Sequence, residues 1–320
     1  MIPRSRTRSM TETAIVAAIG AIATIMGYYV PFLNIFLIFT AIPFAIITLR
    51  SGISYGVAGA FIASIIVAMA TNPISALITL ISSGVNGIFL GVVVQKKLKA
   101  WPAIVVTTLA TLFSLYLSYY VVLPITGVDL NLQMDMMIEE MKVTMEAMQD
   151  SMNADAQATA ESTQMLENYT RNMKLLIPSA IVMSALASAA ANYMLFRVIL
   201  KRMGVALPDM KPFREFRLPG SVFFGMLIMI VLSYLAGYFG LIQSEALLAN
   251  IYMVFSMAFV LQGVAVIVYF FKHIPGQKLL KWLLVVMLAF TGGTIYLALL
   301  GMSDVMLNFR KRYESRSMMR

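Results

Sequence analysis

Apolar residues in this chain gather into runs of about twenty, each long enough to cross a hydrocarbon core. Nearly every run stops at a basic cluster or a short polar break. The candidate spans are 13–29, 33–49, 52–70, 74–94, 102–123, 175–200, 219–239, 248–271 and a last stretch from 279. The pattern predicts an all-α fold, a polytopic transmembrane helical bundle of nine or ten spans.

The one long polar stretch, 125–174, is a different material. It carries Asp129, Asp135, Glu139, Glu140, Glu146, Asp150, Asp155, Glu161 and Glu167 against Lys142, Arg171 and Lys174, with no Gly or Pro between Gly127 and Pro178. Helix is its expected state. Met134, Ile138, Met141, Met145, Met148 and Met152 recur at steps of four and three, the spacing of heptad a and d positions. A helical hairpin or an arm on the outer surface is expected between spans five and six, packed through that stripe, because an amphipathic helix buries its apolar face against something. Thioether binding of Cu(I) is the alternative use of such a stripe, but no Cys or His accompanies it.

Charge sets the orientation. Basic loops stay cytoplasmic, and starting inside at Arg4, Arg6 and Arg8 puts Arg50, the Lys96, Lys97 and Lys99 cluster, 201–217 and 272–278 inside as well. The connections 30–32, 71–73, 125–174 and 240–246 then lie outside, short and nearly uncharged or acidic. One span over 279–301 delivers Arg310, Lys311, Arg312, Arg316 and Arg320 to the outside. A break at Gly292 and Gly293 instead makes two short helices, 279–290 and 294–309, and returns the tail. Ten spans are favoured; nine with an external tail stay open. The first apolar stretch has no small-residue cleavage site after a short core, so it reads as two retained helices rather than a signal peptide.

Composition narrows the function classes. Hydrophobic residues make up 60% and charged residues 12%, with a mean hydropathy of +0.84, against about half and a quarter in soluble domains. The net charge of +9 is spread over loop ends as topology determinants, so no nucleic-acid partner is expected. There is no cysteine and one histidine, His273, which leaves no thiolate or histidine-based metal site. No nucleotide-binding loop, nucleophile elbow or metalloprotease signature occurs, so the chain is expected to be no enzyme and to carry no cofactor. Asp304 is the one acid inside an apolar run; it either caps or pairs locally with Asn308 and Arg310, or serves a proton relay.

Isolated polar residues at membrane depth are Asn34, Asn72, Asn86, Tyr119, Tyr120, Asn192 and Gln262. Each needs an interhelical partner or a cavity. Asn34, Asn72, Asn86, Tyr119 and Tyr120 are the candidates for a pocket under the outer loops. Small-residue faces form a second signal: Gly52, Gly56, Gly59, Ala60 and Ala63 in the third span, and Gly84, Gly87 and Gly91 in the fourth, allow close helix approach. Ala14, Ala17, Ala18 and Ala21 make two overlapping AxxxA patterns in the first span. They either pack within the chain or dock another membrane subunit.

The segments TETAIVAAIGAIATI, IPFAIITLRSGISYGVAGAFIASII and SSGVNGIFLGVVVQKK resemble the six-helix substrate-binding S components of energy-coupling factor transporters. The whole chain, with GMSDVMLNFRKR near its end, resembles the YybS-like family of uncharacterised bacterial membrane proteins. The S-component resemblance implies a bundle of 1–124 and 175–200, joined here by the acidic arm 125–174, a cytoplasmic loop 201–218 and further membrane helices in 219–320. It implies docking of Ala14, Ala17, Ala18 and Ala21 on a membrane scaffold subunit served by a separate ATPase, and binding or transport of a small or amphipathic molecule. A non-catalytic scaffold organising envelope proteins is the alternative. Either way the chain is expected in the bacterial cell membrane, in contact with the lipid bilayer, with its N-terminus cytoplasmic.

Overall fold

The structure, a computed structural model, describes residues 5–127, 129–151, 156–205, 207–208, 210–240, 244–271, 286–288 and 292–318. The expected basic cluster 272–278 and most of the 279–290 span lie outside the described residues. Among those described, every regular element is helical, and eight helices are long and apolar enough to cross a membrane. Contacts divide the chain into two units, Met1–Leu166 with Ile181–Met210, and Glu167–Ala180 with Lys211–Arg320.

The first unit begins with α1 (Arg6–Tyr29), which Ser5 caps by accepting a hydrogen bond from the Arg8 N–H at 3.3 Å. Pro31 then opens a 3-10 segment, Pro31–Thr40, that runs into α2 (Ala41–Ser51). Next come α3 (Ile53–Ala70) and α4 (Pro73–Ile78). A π-helical stretch, Thr79–Gly84, leads from α4 into α5 (Val85–Gln95). Then α6 (Ala100–Leu117) passes through a second π stretch, Ser118–Val122, to the short α7 (Leu123–Thr126). The acidic stretch is helical as expected, as α8 (Leu130–Ser151) and the start of α9 (Ala156–Arg202).

Small residues set the spacing in this unit. A Cβ on Gly87 would strike the Ala41 carbonyl, and one on Gly91 would come within 2.6 Å of Thr48 Cβ, so α5 lies directly against α2. Van der Waals packing at such close crossings drives helix association where lipid removes the hydrophobic drive. Phe44, Leu90, Ala103, Phe196 and Leu200 fill the core beside this crossing.

Of the Met stripe, Met134, Ile138 and Met145 are half-buried and Met141 and Met148 are exposed, and Met152 lies outside the described residues. Heptad spacing collects apolar side chains on one side of a helix. It buries them only where a second apolar face receives them.

The second unit contains the 167–180 part of α9, α10 (Ser221–Tyr238), α11 (Ser244–Phe270), α12 (Thr294–Leu307) and α13 (Phe309–Met318). The break expected at Gly292 and Gly293 is present: Gly292 has φ +75°, and α12 begins at Thr294. Positive φ there favours glycine, which carries no Cβ penalty. A Cβ on Gly263 would strike Leu297 O and one on Gly301 would strike Phe259 O, so α11 and α12 cross at backbone contact.

Pro178 lies inside α9, where proline disturbs the helical hydrogen-bond ladder. The Asn250 carboxamide of α11 inserts there. Its Oδ1 accepts from the Ser179 N–H at 2.7 Å, and its Nδ2 donates to the Leu175 carbonyl at 2.6 Å. One side chain thus meets the donor and the acceptor that an α-helix otherwise pairs with each other.

Candidate functional site

In the first unit the departures from α-helix surround a cavity of about 280 Å³. The 3-10 segment contributes Leu37 and Ile38, the π stretch Ser82 and Ser83, α5 Asn86, α6 Thr111, and α9 Ser188 and Asn192. Irregular backbone at membrane depth is tolerated where it is buried in protein or lines a cavity. π-helical turns are frequent at functional sites.

Hydrogen bonds tie this wall together. Thr40 donates to the Leu37 carbonyl at 2.7 Å, and its hydroxyl lies 2.7 Å from that of Ser83. The single hydroxyl hydrogen of Thr111 is shared between Asn86 Oδ1 at 3.0 Å and the Thr107 carbonyl at 2.9 Å. Asn192 Nδ2 donates to the Ile38 carbonyl at 2.9 Å and to the Ser188 carbonyl at 3.0 Å, which joins α9 to the 3-10 segment. Its own carbonyl oxygen, on a residue only 4% exposed, has no hydrogen-bond partner among the described residues. An orphaned buried acceptor costs about 1–3 kcal/mol.

A second concavity, an apolar cleft of about 520 Å³, is walled by Ile78, Leu112, Tyr116, Tyr119, Tyr120 and Ile181. The second π stretch carries Tyr119 and Tyr120, whose rings meet edge to face with centroids 5.1 Å apart. Tyr116 approaches Tyr120 at 4.4 Å.

The five expected pocket residues fall in different places. Asn86 is in the polar wall, while Tyr119 and Tyr120 line the apolar cleft. Asn34 is exposed and in neither wall. Asn72 caps α4, accepting from the Ser75 N–H at 2.8 Å and donating to the Tyr28 hydroxyl at 3.2 Å. An Asn immediately before Pro73 is an N-cap by its chemistry. The hydroxyls of Ser82, Ser83, Thr111 and Ser188 join the wall without any signal in the sequence pattern.

The alanine face is divided too. Ala17 and Ala21 are wholly buried in the chain's own core with Phe44, Ala60 and Ala63, so at these two positions the docking expectation is corrected to packing within the chain. Ala14 is exposed and Ala18 half-buried.

The second unit holds a buried ion pair. Asp304 and Arg310 are 3% and 1% exposed, with Arg310 Nη2 2.7 Å and Nε 3.1 Å from Asp304 Oδ2. Gln262 Nε2 donates to the same oxygen at 2.7 Å, and Gln262 Oε1 accepts from the Leu218 N–H at 3.0 Å. Arg310 Nη1 donates to the Arg214 carbonyl at 2.9 Å. Of the two roles open to Asp304, the geometry is that of local pairing with Arg310. Asn308, with φ +51°, turns the chain back so that six residues suffice to close the pair. Among the described residues no group of three or more His, Cys, Asp or Glu is arranged to hold a metal ion.

No solved structure matches the chain significantly. It is 26% identical over 234 residues to the "Uncharacterized protein YybS" of Bacillus subtilis (strain 168), covering 72% of this chain and 74% of that protein. The family model described as "Predicted membrane protein (DUF2232)" matches residues 18–305, and the chain belongs to that family of integral membrane proteins.

Proposed function

We propose that the chain is an S-component-like membrane protein that binds or transports a small or amphipathic molecule together with separately encoded partners. The observation that carries this reading is the polar cavity of about 280 Å³ among otherwise apolar helices. A packed membrane bundle has no physical need to hold asparagine, serine and threonine around a void, because each polar group there has to be satisfied away from water. Ligand pockets are mostly apolar with a few placed polar groups, and the cavity beside an aromatic cleft has that make-up. On this reading the chain is not an enzyme, its N-terminus is cytoplasmic, and its partners are a membrane scaffold subunit and a separate ATPase.

Native mass spectrometry of the protein released from membranes tests the binding step. The parent is expected to retain a bound small molecule that Ser188→Leu, which fills the cavity with apolar bulk, releases while thermal stability is kept. Identical spectra for parent and variant overturn the reading.

The scaffold alternative draws on a separate observation, the exposed apolar residues Leu132, Met136, Met137 and Val143 along α8. It requires partners to be lost on deletion of 135–167 and kept in Ser188→Leu.

A further inference from the structure

The polar cavity and the apolar cleft are neighbours along three stretches of continuous helix. Ile78 of the cleft, at the end of α4, stands four residues before Ser82 in the π stretch that continues it; Leu115, four residues after Thr111 on α6, belongs to both walls; and Ile181 is three residues before Ser184 on α9. Residues three or four apart on a helix lie on one face, so the two linings succeed one another along shared faces. We infer that they form one site for an uncharged amphiphile, its hydrogen-bonding head in the cavity and its apolar part against the tyrosines. This inference rests on the solute-binding reading above and names the ligand's chemical class.

Three features define that class. Among the described residues no charged side chain stands in either wall, and an ion buried there without a counter-charge is strongly disfavoured. The head is therefore neutral. The polar lining consists of hydroxyl and carboxamide groups, those of Ser82, Asn86, Thr111, Ser188 and Asn192 among them, with the Thr111 and Asn192 donors held by oxygens of the protein. The head consequently carries hydrogen-bonding groups. The cleft, walled by Ile78, Leu112 and three tyrosines, offers almost no polar surface, so the ligand's other end is aliphatic or aromatic.

The absence of native cysteine makes single thiols clean reporters. Ser188→Cys reports the cavity and Tyr120→Cys the cleft, each in purified full-length protein whose thermal stability matches the parent. The probes are 1-decanoylglycerol, decanoate, which has the chain with an anionic head, and glycerol, the head alone. 1-Decanoylglycerol is expected to slow N-ethylmaleimide modification of both thiols at least fivefold with one common midpoint, and decanoate to need at least tenfold more. Protection of Ser188→Cys alone, midpoints more than threefold apart, or equal potency of decanoate overturns the joined amphiphile site and leaves solute binding standing. Protection of neither thiol, or of Tyr120→Cys alone, overturns both.

Discussion

Replacing Asp304 by Ala removes the oxygen that receives three donors, Nε and Nη2 of Arg310 and Nε2 of Gln262. It leaves a guanidinium 1% exposed with the Arg214 carbonyl as its remaining described acceptor. Two unit charges about 4 Å apart at an effective dielectric of about 20 interact by about 4 kcal/mol, and breaking one side of a buried pair costs about 3–5 kcal/mol. The expected destabilisation of Asp304→Ala therefore lies in that range. The double variant Asp304→Leu with Arg310→Met removes both charges and keeps the volume. It leaves only neutral polar groups short of a partner, at about 1–3 kcal/mol, so it is expected to be more stable than Asp304→Ala. Denaturant titration in mixed micelles of the parent, Asp304→Leu, Arg310→Met and the double variant measures the coupling directly, with Asp304→Ala titrated beside them. A loss below about 1 kcal/mol for Asp304→Ala, or a double variant less stable than either single one, refutes the reasoning that the pair is buried and mutually dependent.

Asn250→Leu removes both hydrogen bonds beside Pro178 and is expected to cost about 2–5 kcal/mol, whereas Tyr252→Leu at an exposed position of the same helix costs little; equal midpoints for the two variants in the same titration argue against the insertion. Ala17→Trp is expected to destabilise the protein itself, since Ala17 is wholly buried and overpacking costs about 1–3 kcal/mol or more, while Ala14→Trp at an exposed position leaves the fold intact and tests partner docking by co-purification. Orientation is checked by single thiols at the exposed positions Lys97 and Glu139: an impermeant maleimide applied to intact cells is expected to label Glu139→Cys only, and labelling of Lys97→Cys alone reverses the assignment.

The spans were legible because twenty apolar residues in a row have few alternatives, and the break at Gly292 and Gly293 was legible because paired glycines weaken a helix. Asn86 stood out as an amide at membrane depth. The hydroxyls did not. Thr107, Thr108, Thr111 and Ser114 all return their hydrogens to carbonyls four residues back, which makes a serine or threonine equally at home in lipid, in a core or in a cavity wall. Only tertiary placement distinguishes Thr111. The alanine stripe was ambiguous for a related reason, because close packing selects small residues whether the neighbouring helix belongs to the same chain or to another. Asn250 meets its partner at a sequence separation of 71, and no local pattern announces such a contact.

The ion pair near the end of α12 also constrains how the protein is made. Arg310 bonds the carbonyl of Arg214, a residue translated 96 positions earlier, and Gln262 holds the Leu218 N–H while awaiting Asp304. During synthesis at about 5–20 residues per second, the loop ahead of α10 therefore stays without its final anchor for at least several seconds after it emerges. A chain interrupted between Asp304 and Arg310 leaves the carboxylate without its guanidinium and the Arg214 carbonyl without its donor, with Gln262 left holding the loop ahead of α10.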